Sequence, residues 1–142
     1  MPGILMADGD GTERIGDDEL LFRRIPASMR WVVAGTLSPE AFRARPDDLT
    51  GISLSREKFN SIQGAAQGPS SQGYFVAVLR AGDLRSKGIE PSPAPLPGDP
   101  GHAEIGSLTY ANRKSDSAIE QRNLLAGLCI RVEGPFPGHA SG

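Results

Sequence analysis

Gly73-Tyr-Phe-Val-Ala-Val-Leu79 is the longest uninterrupted apolar run in the chain. It is rich in aromatic and β-branched residues, and a loop of Gly, Ser and Pro precedes it. That combination predicts a strand buried on both faces, with the other elements packed on it. Downstream, Ala81-Gly-Asp-Leu-Arg-Ser-Lys-Gly88 predicts a short helix capped by Asp83 and stopped by Gly88. Upstream, Gly64–Gly73 reads as a linker, preceded by a helix over Arg56–Gln63 with Ser55 as its cap and Phe59 and Ile62 on its inner face.

Further out, Glu19–Ile25 and Met29–Ala34 predict two strands, closed by Pro26 and Gly35. Ser38-Pro-Glu-Ala-Phe42 predicts one or two helical turns, with serine as N-cap, proline at the first position and an acid near the positive helix end. Gly51–Leu54 is a short strand. Glu90–Gly101 contains five prolines, which rules out a helix or a central strand and predicts an extended surface segment. His102–Ile105 and Leu108–Tyr110 suggest a strand interrupted at Gly106. Ser117-Ala-Ile-Glu120 has the capping-box pattern and opens a helix to about Ala126, with Ile119, Leu124, Leu125 and Leu128 mainly inward. Leu128–Val132 reads as a last strand. Strands separated by short helices at irregular spacing give an α+β class: a single compact domain with a mixed β-sheet, a few short helices and long Gly/Pro-rich loops. The domain is expected over residues 19–133, with a flexible acidic leader at 1–18 and a flexible tail at 134–142. Asp8-Gly-Asp10-Gly-Thr-Glu13 lacks the ligand spacing of a calcium loop.

The chain has 142 residues, 18 Gly, 12 Pro and a formal net charge of −2, which argues against a globally basic nucleic-acid binder. No apolar run reaches the ~18 residues of a membrane span, and the N-terminus lacks a basic signal-peptide region, so a cytoplasmic protein is expected. The single cysteine, Cys129, excludes an intramolecular disulfide and reads as a small buried hydrophobe. No Walker loop, GxGxxG, GxSxG, HExxH or zinc-type CxxC occurs. No metal or cofactor is expected.

Asp18-Glu-Leu-Leu-Phe-Arg-Arg-Ile-Pro26, Leu37-Ser-Pro-Glu-Ala-Phe-Arg43, Gly51-Ile-Ser-Leu-Ser-Arg56 and Asp99-Pro-Gly-His-Ala103 together resemble a loose group of small, uncharacterised bacterial proteins. The resemblance covers residues 18–130. It implies a bacterial origin and a single compact domain, and no activity.

Two constellations are candidates for chemistry. In Asp99-Pro-Gly-His102-Ala-Glu104 a histidine at the mouth of a strand has a carboxylate two residues on, on the same face, as general acid–base catalysis requires. The structural alternative is a histidine that bonds the loop backbone and locks the proline segment to the sheet. The second is an arginine set: Arg23, Arg24, Arg43, Arg45 and Arg56. Between Leu21 and Ile62 seven basic residues stand against four acids, so this face can take a phosphate, a nucleotide or an acidic partner. It can equally close on Asp47, Asp48 or the acidic leader. Arg23, the Ser53-x-Ser55 strand and Glu104, in that order, resemble the layout of ADP-ribosyltransferase-like folds. That resemblance implies that Arg23 grips dinucleotide phosphates and Glu104 activates the acceptor, although the Ser-Thr-Ser and Glu-x-Glu signatures are absent.

The first expectation is therefore a small binding or interaction domain with a protein partner, contacting it through the proline segment and the arginine face. The alternative is a small enzyme acting on a nucleotide or nucleic acid, ADP-ribosyltransferase-like or nuclease-like, with His102 and Glu104 as catalytic groups and Arg23, Arg43, Arg56 and Ser53 as binding groups. Convergence of these residues in one concave pocket separates the two.

Overall fold

The structure, a computed structural model, describes residues 10–137. The portions of the expected leader and tail at 1–9 and 138–142, with Asp8 and His139, lie outside the described residues. In chain order the elements are β1 (Leu20–Pro26), β2 (Val32–Val33), β3 (Thr36–Leu37), β4 (Ile52–Arg56), α1 (Ile62–Ala65), β5 (Tyr74–Arg80), α2 (Ala81–Ser86), β6 (Pro91–Pro93), β7 (His102–Ile105), α3 (Asp116–Leu128) and β8 (Arg131–Phe136). A 3-10 turn, Pro39–Phe42, precedes β4, with the Ser38 hydroxyl accepting from the Glu40 N–H as predicted.

Six strands form one sheet in the order β6-β7-β4-β1-β5-β8. The α+β class is as expected. The sheet is antiparallel in all its pairings rather than mixed.

β5 is dry on both sides, with Val76, Ala77, Val78 and Leu79 all at 0% exposure. On one face Leu21, Ile25, Ile52, Leu54, Leu79 and Ile105 pack with Phe42, Leu84 and Leu125 beneath the 3-10 turn, α2 and α3. On the other face Phe22, Tyr74, Val76 and Val78 pack with Ala65 and Ala66 at and just after α1. That second cover is short. It shields β1 and β5, while the same face of β4 and β7 carries Ser53, Ser55, His102 and Glu104 (cross-strand neighbours Ser53↔Glu104 and Ser55↔His102).

Several elements depart from the sequence expectation. No helix begins at Arg56. β4 runs through Arg56, which pairs with Leu21, and α1 starts later with Ser61 as its cap, its hydroxyl accepting from Gly64 N–H at 2.9 Å. Met29–Ala34 is not one strand. β2 and β3 form a hairpin, because Ala34 and Gly35 both take positive φ (53° and 80°) and turn the chain back. The proline segment contributes β6, an edge strand against β7, where prolines are tolerated. Leu108–Tyr110 is irregular rather than strand. α3 is capped two residues earlier than expected, by Ser115, and Ile119 points outward at 43% exposure. The last strand begins at Arg131, so Cys129 sits half-buried at the end of α3, and Phe136, in the expected tail, pairs with Tyr74 of β5 beyond a break in the register. From Asp10 onward the acidic N-terminal segment lies on the domain, with Ile15 fully buried.

Candidate functional site

The site arises from a fork in the sheet. β1 pairs with β5 along all seven of its residues, and β4 pairs with β7 from Ile52 to Ser55. β1 and β4, in contrast, meet only at Leu21↔Arg56 and Phe22↔Ser55. Beyond Phe22 the two strands part. A cleft of about 870 Å³ opens there, lined by Arg23, Arg24 and Pro26 from β1 and by Ser53, Leu54 and Ser55 from β4. The volume falls within the range that encloses a small organic ligand. Its walls are α1, Trp31, the 45–48 loop, and Asp99 with His102.

Arg23 bridges the fork. It alternates with Leu21 and Ile25 on the covered face, so its side chain is carried into the interior and is 8% exposed. Nε donates to the Ala41 carbonyl at 3.0 Å and Nη1 to the Ser53 carbonyl at 2.9 Å. The second bond satisfies a carbonyl that a continuous β1–β4 ladder would have used. Burial depresses the Arg23 guanidinium to a pKa of about 10, with Asp48 opposing the shift. Asp48 makes no ion pair with it, and its Oδ2 accepts from the Arg45 N–H at 2.7 Å.

His102 and Ser53 meet on the cleft's sheet surface. His102 Nδ1 lies 2.8 Å from the Ala94 carbonyl and Nε2 lies 3.1 Å from Ser53 Oγ. A carbonyl only accepts, so Nδ1 carries a proton, and in the neutral imidazole the Nε2 lone pair then accepts from the Ser53 hydroxyl. The contact to Ala94 fastens the proline segment to β7, the structural role considered for this histidine. The contact to Ser53 is also that of a hydroxyl and its base, with the base oriented by a third group.

The remaining sequence candidates are elsewhere. Glu104 shares the face with Ser53 and His102 but does not line the cleft, and its Oε1 accepts from Thr50 Oγ1 at 2.9 Å. Arg43 pairs with Glu40 at 3.2 Å on the surface. Arg56 is 1% exposed and holds the N-terminal segment. It bonds the Glu19 carboxylate twice at 3.0 Å and donates to the Gly11 and Glu13 carbonyls at 3.2 and 3.0 Å. So the cleft brings together Arg23, Ser53 and His102, and leaves out Glu104, Arg43 and Arg56. It adds Arg24 and Arg45 from the arginine set, Asp99 from the Asp-Pro-Gly-His motif, and Trp31 and Asn60, which no motif marked. Arg24 lies over the Tyr74 ring at 4.6 Å and donates to the Gln67 carbonyl.

Among the described residues no group of three His, Cys, Asp or Glu side chains is placed to hold a metal ion, and no helix is long and apolar enough to cross a membrane. Comparison of the chain with family models, curated proteins and solved structures found no match.

Proposed function

We propose that this chain is a small-ligand-binding domain whose site is the cleft at the β1–β4 fork. The observation that carries this reading is the fork itself. Two neighbouring strands part after two residue pairs, and the space between them is lined by convergent polar side chains. A strand pair that served only stability would close its ladder, since each unpaired backbone group away from water costs free energy. The proline segment is a poorer candidate for a contact surface. Pro91–Pro93 are paired with β7, and Ala94 bonds His102 through both its N–H, at 3.0 Å to the carbonyl, and its carbonyl. A fragment screen by two-dimensional amide NMR tests the reading. Binders are expected to shift the Ser53, Ser55 and His102 amides, and Ser55→Phe, which fills the cleft, is expected to abolish those shifts. A screen whose hits all map elsewhere would overturn it.

The Ser53–His102–Ala94 arrangement favours a second reading, a hydrolase with Ser53 as nucleophile and His102 as base. Ser53 Oγ would add to an acyl carbon while its proton passes to His102 Nε2 and then to the leaving group. An intact-mass adduct from a fluorophosphonate probe, lost in both Ser53→Ala and His102→Asn, is the expected result under this reading. A folded wild-type protein that gives no adduct excludes it.

A further inference from the structure

We propose that the ligand of this cleft carries a single oxyanion, a phosphate monoester or a carboxylate, and that Arg23 is its anchor. The inference rests on the cleft being a binding site and adds the chemistry of what enters. Buried charges in proteins are ordinarily paired. Arg56 obeys the rule through Glu19 and Glu13. Arg23 does not, since at 8% exposure it has no carboxylate within ion-pair distance among the described residues. Its two hydrogen bonds use Nε and Nη1 and end on neutral carbonyls. Nη2 has no partner among the described residues and is not fully buried, and Arg23 lines the cleft. A desolvated guanidinium with open N–H donors at the base of a cleft presents the charge and fork geometry that a carboxylate or phosphate matches.

The rims set the rest of the ligand's chemistry. Arg24 and Arg45 line the cleft, Arg45 without an ion pair among the described residues, but so do Asp47, Asp48 and Asp99. Three arginines against three carboxylates disfavour a polyanion such as nucleic acid, whose binding needs a surplus of positive charge. They suit a compact molecule with one negative group directed at Arg23. Trp31, Phe22 and Pro26 supply apolar surface beside it.

The test uses three probes that share a phenyl ring: phenyl phosphate, benzoate and neutral benzyl alcohol, titrated into the full chain and followed by amide and arginine Nε NMR. At least one of the two anions is expected to bind in the cleft about tenfold or more tightly than benzyl alcohol, as a hydrogen bond to a charged group predicts. Which anion is favoured separates a phosphate from a carboxylate ligand. Arg23→Met is expected to reduce the anions to the affinity of benzyl alcohol. Arg45→Gln, at an exposed position that does not threaten folding, is expected to weaken the anions about threefold and leave benzyl alcohol unchanged, which keeps the test informative if Arg23→Met does not fold. Equal cleft binding of all three probes overturns the oxyanion inference and leaves the binding site standing. Anion binding that maps outside the cleft, or no binding by any probe, overturns the inference and counts against the site as well.

Discussion

Arg56 and Arg23 look alike in sequence, and the sharpest prediction concerns the one that is paired. Arg56→Met keeps the length of the side chain but removes its charge and its donors. What remains is the Glu19 carboxylate, whose side chain is 12% exposed, and the Glu13 carboxylate at 25%, both facing the space a cation occupied. The Gly11 and Glu13 carbonyls also lose their donor. Breaking a buried ion pair by removing one partner costs roughly 3–5 kcal/mol. Because the Glu13 carboxylate keeps the Lys58 ammonium at 3.8 Å and the Glu19 side chain stays 12% exposed, the low end, about 3 kcal/mol, is expected. For a domain of this size that is a fall in Tm of roughly 10–15 °C, measurable by circular dichroism. Arg56→Lys should fall between, since an ammonium cannot make the two parallel bonds to Glu19. The N-terminal segment should open with it, so that limited digestion by a glutamate-specific protease cuts after Glu13 in Arg56→Met and not in the wild type. Probe binding in the cleft should survive at temperatures where the variant is folded. A Tm within about 3 °C of wild type, with the segment still protected, would refute the argument. Loss of cleft binding at unchanged stability would make Arg56 a ligand residue instead.

Ala34 adopts φ 53° in the two-residue turn between Val33 and Thr36, a conformation that favours Asn or Gly, so Ala34→Asn should stabilise by about 0.5–1 kcal/mol in urea denaturation. Gly51, at φ 146°, has no room for a side chain, since a Cβ would lie 2.5 Å from the Ile105 carbonyl oxygen; Gly51→Ala should destabilise by about 2 kcal/mol or more, read by the same assay. Burial raises the Cys129 thiol's pKa, so iodoacetamide at pH 7.5 should label the native protein more slowly than the urea-unfolded chain, and equal rates would refute it. Arg23, depressed by burial to about 10 when folded, binds fewer protons in the native than in the unfolded state from about that pH upward, so its burial is destabilising at neutral pH and that penalty shrinks as pH rises past 10. The stability of Arg23→Met relative to wild type should therefore fall by about 1 kcal/mol between pH 8 and pH 11, and an unchanged difference would mean that Arg23 is not desolvated.

What the sequence made legible was local. Tyr74–Leu79 announced itself because a run buried on both faces needs no amphipathic period, and Ser38-Pro39 announced a helical turn because the cap and the fixed proline φ act within one turn. α3 was visible through its polar start, although Ser115, two residues before the expected Ser117, makes the cap. The N-terminal segment misled because acidic, glycine-rich composition describes an average, whereas one residue, Ile15, reaches the core and one arginine 43 positions from Glu13 holds the backbone. The end of β4 misled for a related reason. Ser55-Arg56 reads equally well as cap and first turn, and the pairing of Arg56 with Leu21 decides for strand.

The site was half legible, and the half that was missed follows from how the fork is made. Ser53 and His102 were flagged one by one, but their hydrogen bond joins positions 49 residues apart, and only the register of β4 on β7 places them on one face. Glu104 sits on that face two residues from His102, as the strand period requires, yet the same alternation that aligns it directs it toward Thr50 rather than the cleft. Nothing in the sequence says that β1 leaves β4 after Phe22. The sheet shows why the separation holds: Arg23 puts a bulky, charged side chain on the covered face and takes the Ser53 carbonyl that the missing ladder would have used. The retention of a costly unpaired charge at the one place where it keeps the sheet open is therefore more economically explained by what enters the cleft than by the stability of the empty domain.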